Sequence, residues 1–320
     1  MKILSYILLF LALCSMTTVK FPDAEISNGL MRAKLFLPDS LNGYYRGSRF
    51  DWSGTISSLN YNGHEYFGKW FKPGDSEIHD TVTGPVEEFA PLDYEQTKQG
   101  ESFVKIGIGT LLKPDDKAYA SGRPLTILNH GIWKINEQPD QVQFTQELKD
   151  INYSYRYQKT VQLITNKSQM LLSHILKNTG KRTIETKVYS HNFFVMDQKL
   201  IGTAFIVKFP FTVTGRGVGS GELIDIKDNK LVFLRNLEGS ETVYYESLSG
   251  YSGDARDFDI RIENQKTGSG VRITCDQPIS KLAFWACSTT LCPEPYIKIR
   301  VEPGNEFRWK INYEFYTVPK

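Results

Sequence analysis

His191 and Glu294 are the residues of this 320-residue chain whose types and surroundings best suit proton transfer. His191 lies in Tyr189-Ser190-His191-Asn192-Phe193-Phe194, where two hydrogen-bonding side chains interrupt a run that otherwise reads as sheet. Far along the chain, Cys292-Pro293-Glu294-Pro295-Tyr296 carries a carboxylate shortly before the turn Pro303-Gly304. An imidazole and a carboxylate work as acid and base when their pKa values are brought toward neutrality. Partial burial of Glu294 among Trp285, Tyr296 and Phe193 would raise its pKa in that direction. Such a pair suits the oxygens of a sugar ring.

Two further segments carry side chains suited to holding a hydroxylated ligand. In Asn42-Gly43-Tyr44-Tyr45-Arg46-Gly47-Ser48-Arg49-Phe50-Asp51-Trp52, two arginines and an aspartate sit among aromatics and glycines. Guanidinium forks and carboxylates hydrogen-bond hydroxyl pairs, and aromatic rings pack on the apolar face of a pyranose. The same residues would equally suit a loop held down by its own Arg49–Asp51 pair. The run Ile78-His79-Asp80-Thr81-Val82-Thr83-Gly84-Pro85-Val86-Glu87-Glu88-Phe89 concentrates ionisable groups near a turn. His79 and Glu87 from this run, Arg46, Arg49, Asn192 and Trp285 form the candidate binding set. Their spacing matches no common metal-ligand pattern, and neither a metal nor a cofactor is expected. His174, inside the apolar stretch Leu171–Leu176, reads as a core histidine, His64 as a solvated turn residue, and His130 as a weaker candidate. There is no G-x-S-x-G elbow, H-E-x-x-H pair or phosphate loop. The glycine-rich run Gly215–Gly221 precedes nothing helical and reads as a flexible hairpin tip.

The elements that must position these groups are strands. Apolar and polar residues alternate over Phe103–Thr110, Tyr153–Tyr157 and Trp309–Phe315, and no segment carries a helical stripe. Phe258–Ile262 and Val271–Ile273 flank the turn Thr267-Gly268-Ser269-Gly270 and read as a hairpin. The fold class is therefore all-β. No linker or charge block divides the strands, so residues 21–320 are read as a single domain. A net charge of +2 without a basic stripe argues against a nucleic-acid partner. At the N-terminus, Lys2 and the apolar run Ile3–Cys14 read as a secretory signal over residues 1–20. Leu11-Ala12-Leu13-Cys14 partly resembles a lipobox, with Leu13 where a small residue belongs. Simple cleavage and a lipid anchor, the one membrane attachment the sequence offers, both remain open. Either implies an exported, periplasmic or cell-surface protein. Cys275, Cys287 and Cys292 then remain, and they read as small buried hydrophobes or, for Cys287 and Cys292, as a bridge ahead of Glu294.

Taken in order, these segments resemble the galactose mutarotase-like superfamily, which includes the aldose 1-epimerases. The features are the arginine-bearing Tyr45–Phe50 turn, the hairpin-like Leu59–His64, His79 with Gly84, Leu176–Gly180 leading into His191-Asn192-Phe193, and Glu294 ahead of Val301–Gly304. Together they cover nearly all of the chain after the leader. The resemblance implies a large antiparallel β-supersandwich, carbohydrate as partner, Glu294 as base and His191 as acid in the interconversion of sugar anomers. The chain departs from the long epimerases after His79, where Asp80-Thr81-Val82 replaces a pair of glycines. A non-catalytic carbohydrate-binding protein on the same scaffold is the alternative. A polysaccharide lyase, drawing on Tyr45, Arg46 and His191, is a third reading.

Overall fold

The computed structural model describes residues 20–71, 78 and 81–319. The segment expected to be a secretory signal, apart from Lys20, and His79 lie outside the described residues. The alternation in the sequence becomes alternation of burial. Tyr155–Leu163 and Gln169–Asn178 each bury every second residue through almost their whole length. That pattern arises because successive side chains of a strand point to opposite faces.

Among the described residues, four antiparallel sheets result. The largest has ten strands, and at its centre Glu306–Thr317 lies between Ser269–Cys275 and Gln169–Asn178. A five-stranded sheet runs in the order Thr242–Leu248, Lys281–Cys287, Thr290–Val301, Ile184–His191 and Val86–Phe89. The two are layered face to face across the main core. Phe89 of the smaller sheet packs edge-on to Tyr157 of the larger, ring centroids 5.4 Å apart, and against Trp309 at 6.2 Å. Full burial of one such aromatic contributes about 1.5–3 kcal/mol. The other face of the five-stranded sheet is covered by a second apolar cluster, which includes Tyr45, Phe50, Trp52, Val86 and Phe193. That cluster brings the arginine-bearing segment over the sheet.

The hairpin reading holds, with Asp259–Asn264 pairing Ser269–Cys275 through Gly268 in the left-handed region. Two smaller expectations are corrected, and one open alternative, the cysteine bridge, does not form. Gly215–Gly221 is not a free tip: Val218 pairs with Tyr244, and a Cβ on Gly217 would stand 2.1 Å from the Tyr244 carbonyl oxygen. His64 is half-buried rather than solvated, with Nδ1 3.0 Å from Asp197. Cys287 and Cys292 are free thiols, with Cys292 wholly buried.

Candidate active site

His191 and Glu294 meet because of strand register. Ile184–Tyr189 pairs with Tyr296–Val301 in one antiparallel register, and the isolated bridge Phe194↔Leu291 keeps the same register. Carried through, it sets His191 opposite Glu294 and Asn192 opposite Pro293. Between the two paired stretches the ladder is interrupted, and the sequence explains why. Pro293 and Pro295 have no N–H to give a neighbouring strand. Asn192 repairs part of the gap, its Nδ2 donating to the Pro293 carbonyl at 2.6 Å. Phe193 takes a positive φ of 41° and lays its ring on His191, centroids 3.8 Å apart. Gly84 completes the close packing there, since a Cβ would stand 2.1 Å from the Asn192 carbonyl oxygen.

In this opened stretch His191 Nε2 lies 3.2 Å from Glu294 Oε1. The two residues are 4% and 5% exposed, so the pair is nearly dry and yet borders a cleft. The cleft has a volume of about 330 Å³. Arg49, Tyr189, Tyr296, Trp70, Trp285 and Tyr244 line it beside the pair. Tyr189 and Tyr296 stack at 4.4 Å, and Trp70 meets Trp285 edge-on at 5.6 Å. Aromatic walls around a few polar groups are what a sugar ring requires of a site.

Burial pushes the Glu294 carboxyl up to about 8, against the opposing pull of Arg49. Glu88, on the same face, is also buried but goes the other way. Despite burial, Lys105 and Arg49 hold its carboxyl down at about 2. Arg49 Nε donates to Glu88 Oε2 at 2.9 Å and its Nη2 to the Tyr189 hydroxyl at 3.1 Å. Lys105 Nζ, wholly buried, donates to Glu88 Oε1 at 3.0 Å. Two nitrogens of the Arg49 guanidinium are thereby fixed at the wall of the cleft.

Arg49, His191, Glu294 and Trp285 are thus brought together. Three other described candidates are not. Glu87 points to the opposite face of the sheet, between the two layers, where it meets Lys159 and accepts from His174 Nε2 at 3.1 Å. It therefore has no access to the cleft. Asn192 also faces inward, with Nδ2 on Pro293 and Oδ1 accepting from the Tyr313 hydroxyl at 2.8 Å, so both ends of its amide are committed. Arg46 lines a separate cavity, with Nη1 donating to the Leu41 carbonyl. His79 falls outside the described residues. The alternative Arg49–Asp51 pair does not form either, because Asp51 accepts from Ser53 and Tyr157 instead. His174 is a core histidine, stacked on Trp309 at 4.4 Å.

No protein-family model and no curated protein matches the chain. Solved structures do match it. A galactose mutarotase-like protein from Clostridium acetobutylicum superposes with a TM-score of 0.57 at 11% identity, over 92% of this chain and 95% of its own. The galactose mutarotase related enzyme from Lactobacillus acidophilus gives 0.53 at 13% identity, over 92% and 97%. The aldose epimerase homologue from C. elegans gives 0.51 at 12% identity, over 93% and 99%. The fold is the galactose mutarotase-like β-supersandwich. In this mutarotase-like fold Glu88, Tyr189, Trp70 and Tyr244 were not among the residues expected from the sequence, and Tyr296 was expected only as part of the surroundings of Glu294. Tyr189 and Tyr296 had a usable signal, each being two residues from a predicted catalytic group and so on the same strand face.

Proposed function

We propose that this protein is an aldose 1-epimerase-like mutarotase that interconverts sugar anomers, with Glu294 as base and His191 as acid. The observation that carries this reading is the 3.2 Å approach of His191 Nε2 to Glu294 Oε1 at the wall of a polar, aromatic-lined cleft. The anomeric hydroxyl and the ring oxygen are bonded to one carbon and lie closer together than the two side chains do. One group can therefore reach each oxygen at once.

Glu294 takes the proton of the anomeric hydroxyl while the proton on His191 Nε2 passes to the ring oxygen. The bond between the anomeric carbon and the ring oxygen breaks, and the hydroxyl oxygen becomes the carbonyl of an open aldehyde. Rotation about the adjoining carbon–carbon bond presents the other face. On closure the ring hydroxyl returns its proton to His191, and Glu294 returns its own to the new anomeric hydroxyl. No atom is gained or lost. A carboxylate whose pKa is near 8 is a stronger proton acceptor than one with an ordinary value, which suits a hydroxyl proton. Trp285 and Tyr296 would pack against the sugar, and Arg49 would hold a hydroxyl. Action outside the cytoplasm, on a free sugar or a glycan end, is part of this proposal.

The test is anomer exchange followed by NMR or polarimetry on a panel of aldoses. Wild-type protein should accelerate exchange of at least one sugar. Glu294→Gln, which keeps the shape, should lower the rate about 10²–10⁴-fold while remaining folded. Saturable binding without acceleration would favour the non-catalytic alternative, and ultraviolet-absorbing unsaturated product from a uronate polymer would favour a lyase.

A further inference from the structure

The segment that brings Arg49 to the cleft brings Arg46 to a second one. This neighbouring cavity, of about 440 Å³, is lined by Arg46, Ser48, Trp52, Pro124, Thr126 and His130 among others. The two cavities have no lining residue in common, but the same two segments reach both: Arg46 and Arg49 belong to one short turn, and Ser121 lines the first while Pro124 lines the second. Several polar groups of the second cavity are able to donate. Arg46 Nε and His130 Nδ1 are buried and have no hydrogen-bond partner among the described residues. Ser48 Oγ accepts from the Leu125 N–H at 2.9 Å, leaving its own proton to give. No described acidic side chain lines the cavity, and Arg46 forms no ion pair among the described residues. Asp51, the nearest acid in sequence, accepts from Ser53 and Tyr157, and Asp39 turns Oδ1 to the N–H groups of Leu41 and Asn42.

Buried donors without acceptors are costly unless something supplies the acceptors. A guanidinium with its Nε–H unused, a hydroxyl proton and an imidazole nitrogen suit a group rich in acceptor oxygens and negative charge. Beside them His130 lies over Trp52, centroids 5.0 Å apart, which gives the cavity an apolar wall for a ring. We infer that the Arg46–His130 cavity is a second carbohydrate subsite, which binds the anionic group of an acidic sugar unit. This rests on the carbohydrate reading of the first cleft but not on its catalysis. It makes the substrate class an acidic glycan, or an acidic sugar bound apart from the one undergoing exchange.

Calorimetric titration decides this, with glucuronate, galactose 6-sulfate and glucose 6-phosphate compared with neutral glucose. The proteins are wild type, Arg46→Gln, His130→Gln and Glu294→Gln. At least one acidic sugar should bind wild type and Glu294→Gln alike, about tenfold or more tightly than glucose, and weaken with added salt. Arg46→Gln should remove about tenfold of that affinity, and His130→Gln, a milder change should the arginine variant not fold, should reduce it too. The strongest of the three arms names the anionic group. Equal affinity for glucose and every acidic sugar would overturn the proposal. So would binding that is lost in Glu294→Gln and kept in Arg46→Gln, since that seats the acid in the first cleft. If anomer exchange is absent but acidic-sugar binding follows the expected pattern, the catalytic reading falls and the subsite stands.

Discussion

Glu87 and Glu294 stand on opposite faces of the five-stranded sheet, both almost without solvent, and burial has opposite outcomes for them. On the inner face Glu87 meets the Lys159 ammonium and the His174 ring, and despite burial its carboxyl stays well below the ordinary range. Lys159 also donates to the Ser53 carbonyl at 2.9 Å, and Asp51 completes the sealed cluster with its own carboxyl raised by burial. On the outer face Glu294 has only His191 within ion-pair reach among the described residues, and burial carries it to about 8. A buried carboxylate with a matched cation is a structural element, whereas one left short of positive charge beside a cleft is poised to exchange a proton. The comparison also separates Glu88 from Glu294 on one face, since Arg49 and Lys105 keep Glu88 ionised as a support for Arg49.

The difference can be tested from its largest consequence downward. Glu87→Gln should destabilise the protein by about 3–5 kcal/mol in urea unfolding, because it strands the Lys159 charge between two sheets. An unchanged midpoint would show that the inner cluster is not held by that pair. Glu294→Gln should act in the other direction and only at high pH. Because the folded pKa of Glu294 lies above its ordinary 4.5, its contribution to stability is fully present below about 4.5 and is lost as pH rises through about 8. The variant should therefore match wild type near pH 4 and exceed it at pH 9 by on the order of 2–4 kcal/mol, read from paired unfolding curves. Equal stability at both pH values would mean that the carboxyl is not raised. The smallest effect is expected at Tyr313→Phe, which removes the donor to Asn192 Oδ1. A loss of about 1–2 kcal/mol should appear, with a modest fall in exchange rate as the turn carrying His191 loosens.

Much of this arrangement could be read from the sequence, and its failures have physical causes. Alternation over Tyr153–Tyr157 and Trp309–Phe315 pointed to the strands found at Tyr155–Leu163 and Glu306–Thr317, because one face of each is buried in a shared core. His191 and Glu294 stood out as polar groups in apolar strands, and register then placed them together. The choice of Glu87 over Glu88 failed because Val86-Glu87-Glu88-Phe89 is apolar at both ends and buried on both faces, so its pattern conceals which carboxylate faces which way. The Asn192 assignment ignored parity: neighbours in a strand face opposite sides, so a residue next to His191 was bound to point inward. Arg46 and Arg49 lie in an irregular turn with no period to read, and only the tertiary fold sends them to different cavities. Lys105 and Tyr119 are joined to Glu88 through contacts that no local pattern predicts.

The central claim is that Glu294 is the base, working from a pKa near 8. The measurement that tests it most directly is the pH dependence of kcat/KM for anomer exchange of the best aldose, followed by NMR on wild type and Glu294→Gln. The base must be ionised and the acid must carry its proton, so wild-type kcat/KM should climb about tenfold per pH unit on its acid side, pass through a maximum and fall again at high pH, while Glu294→Gln should show neither the rate nor the rising limb. A wild-type profile flat from pH 5 to 8, or exchange that survives in Glu294→Gln, would contradict it.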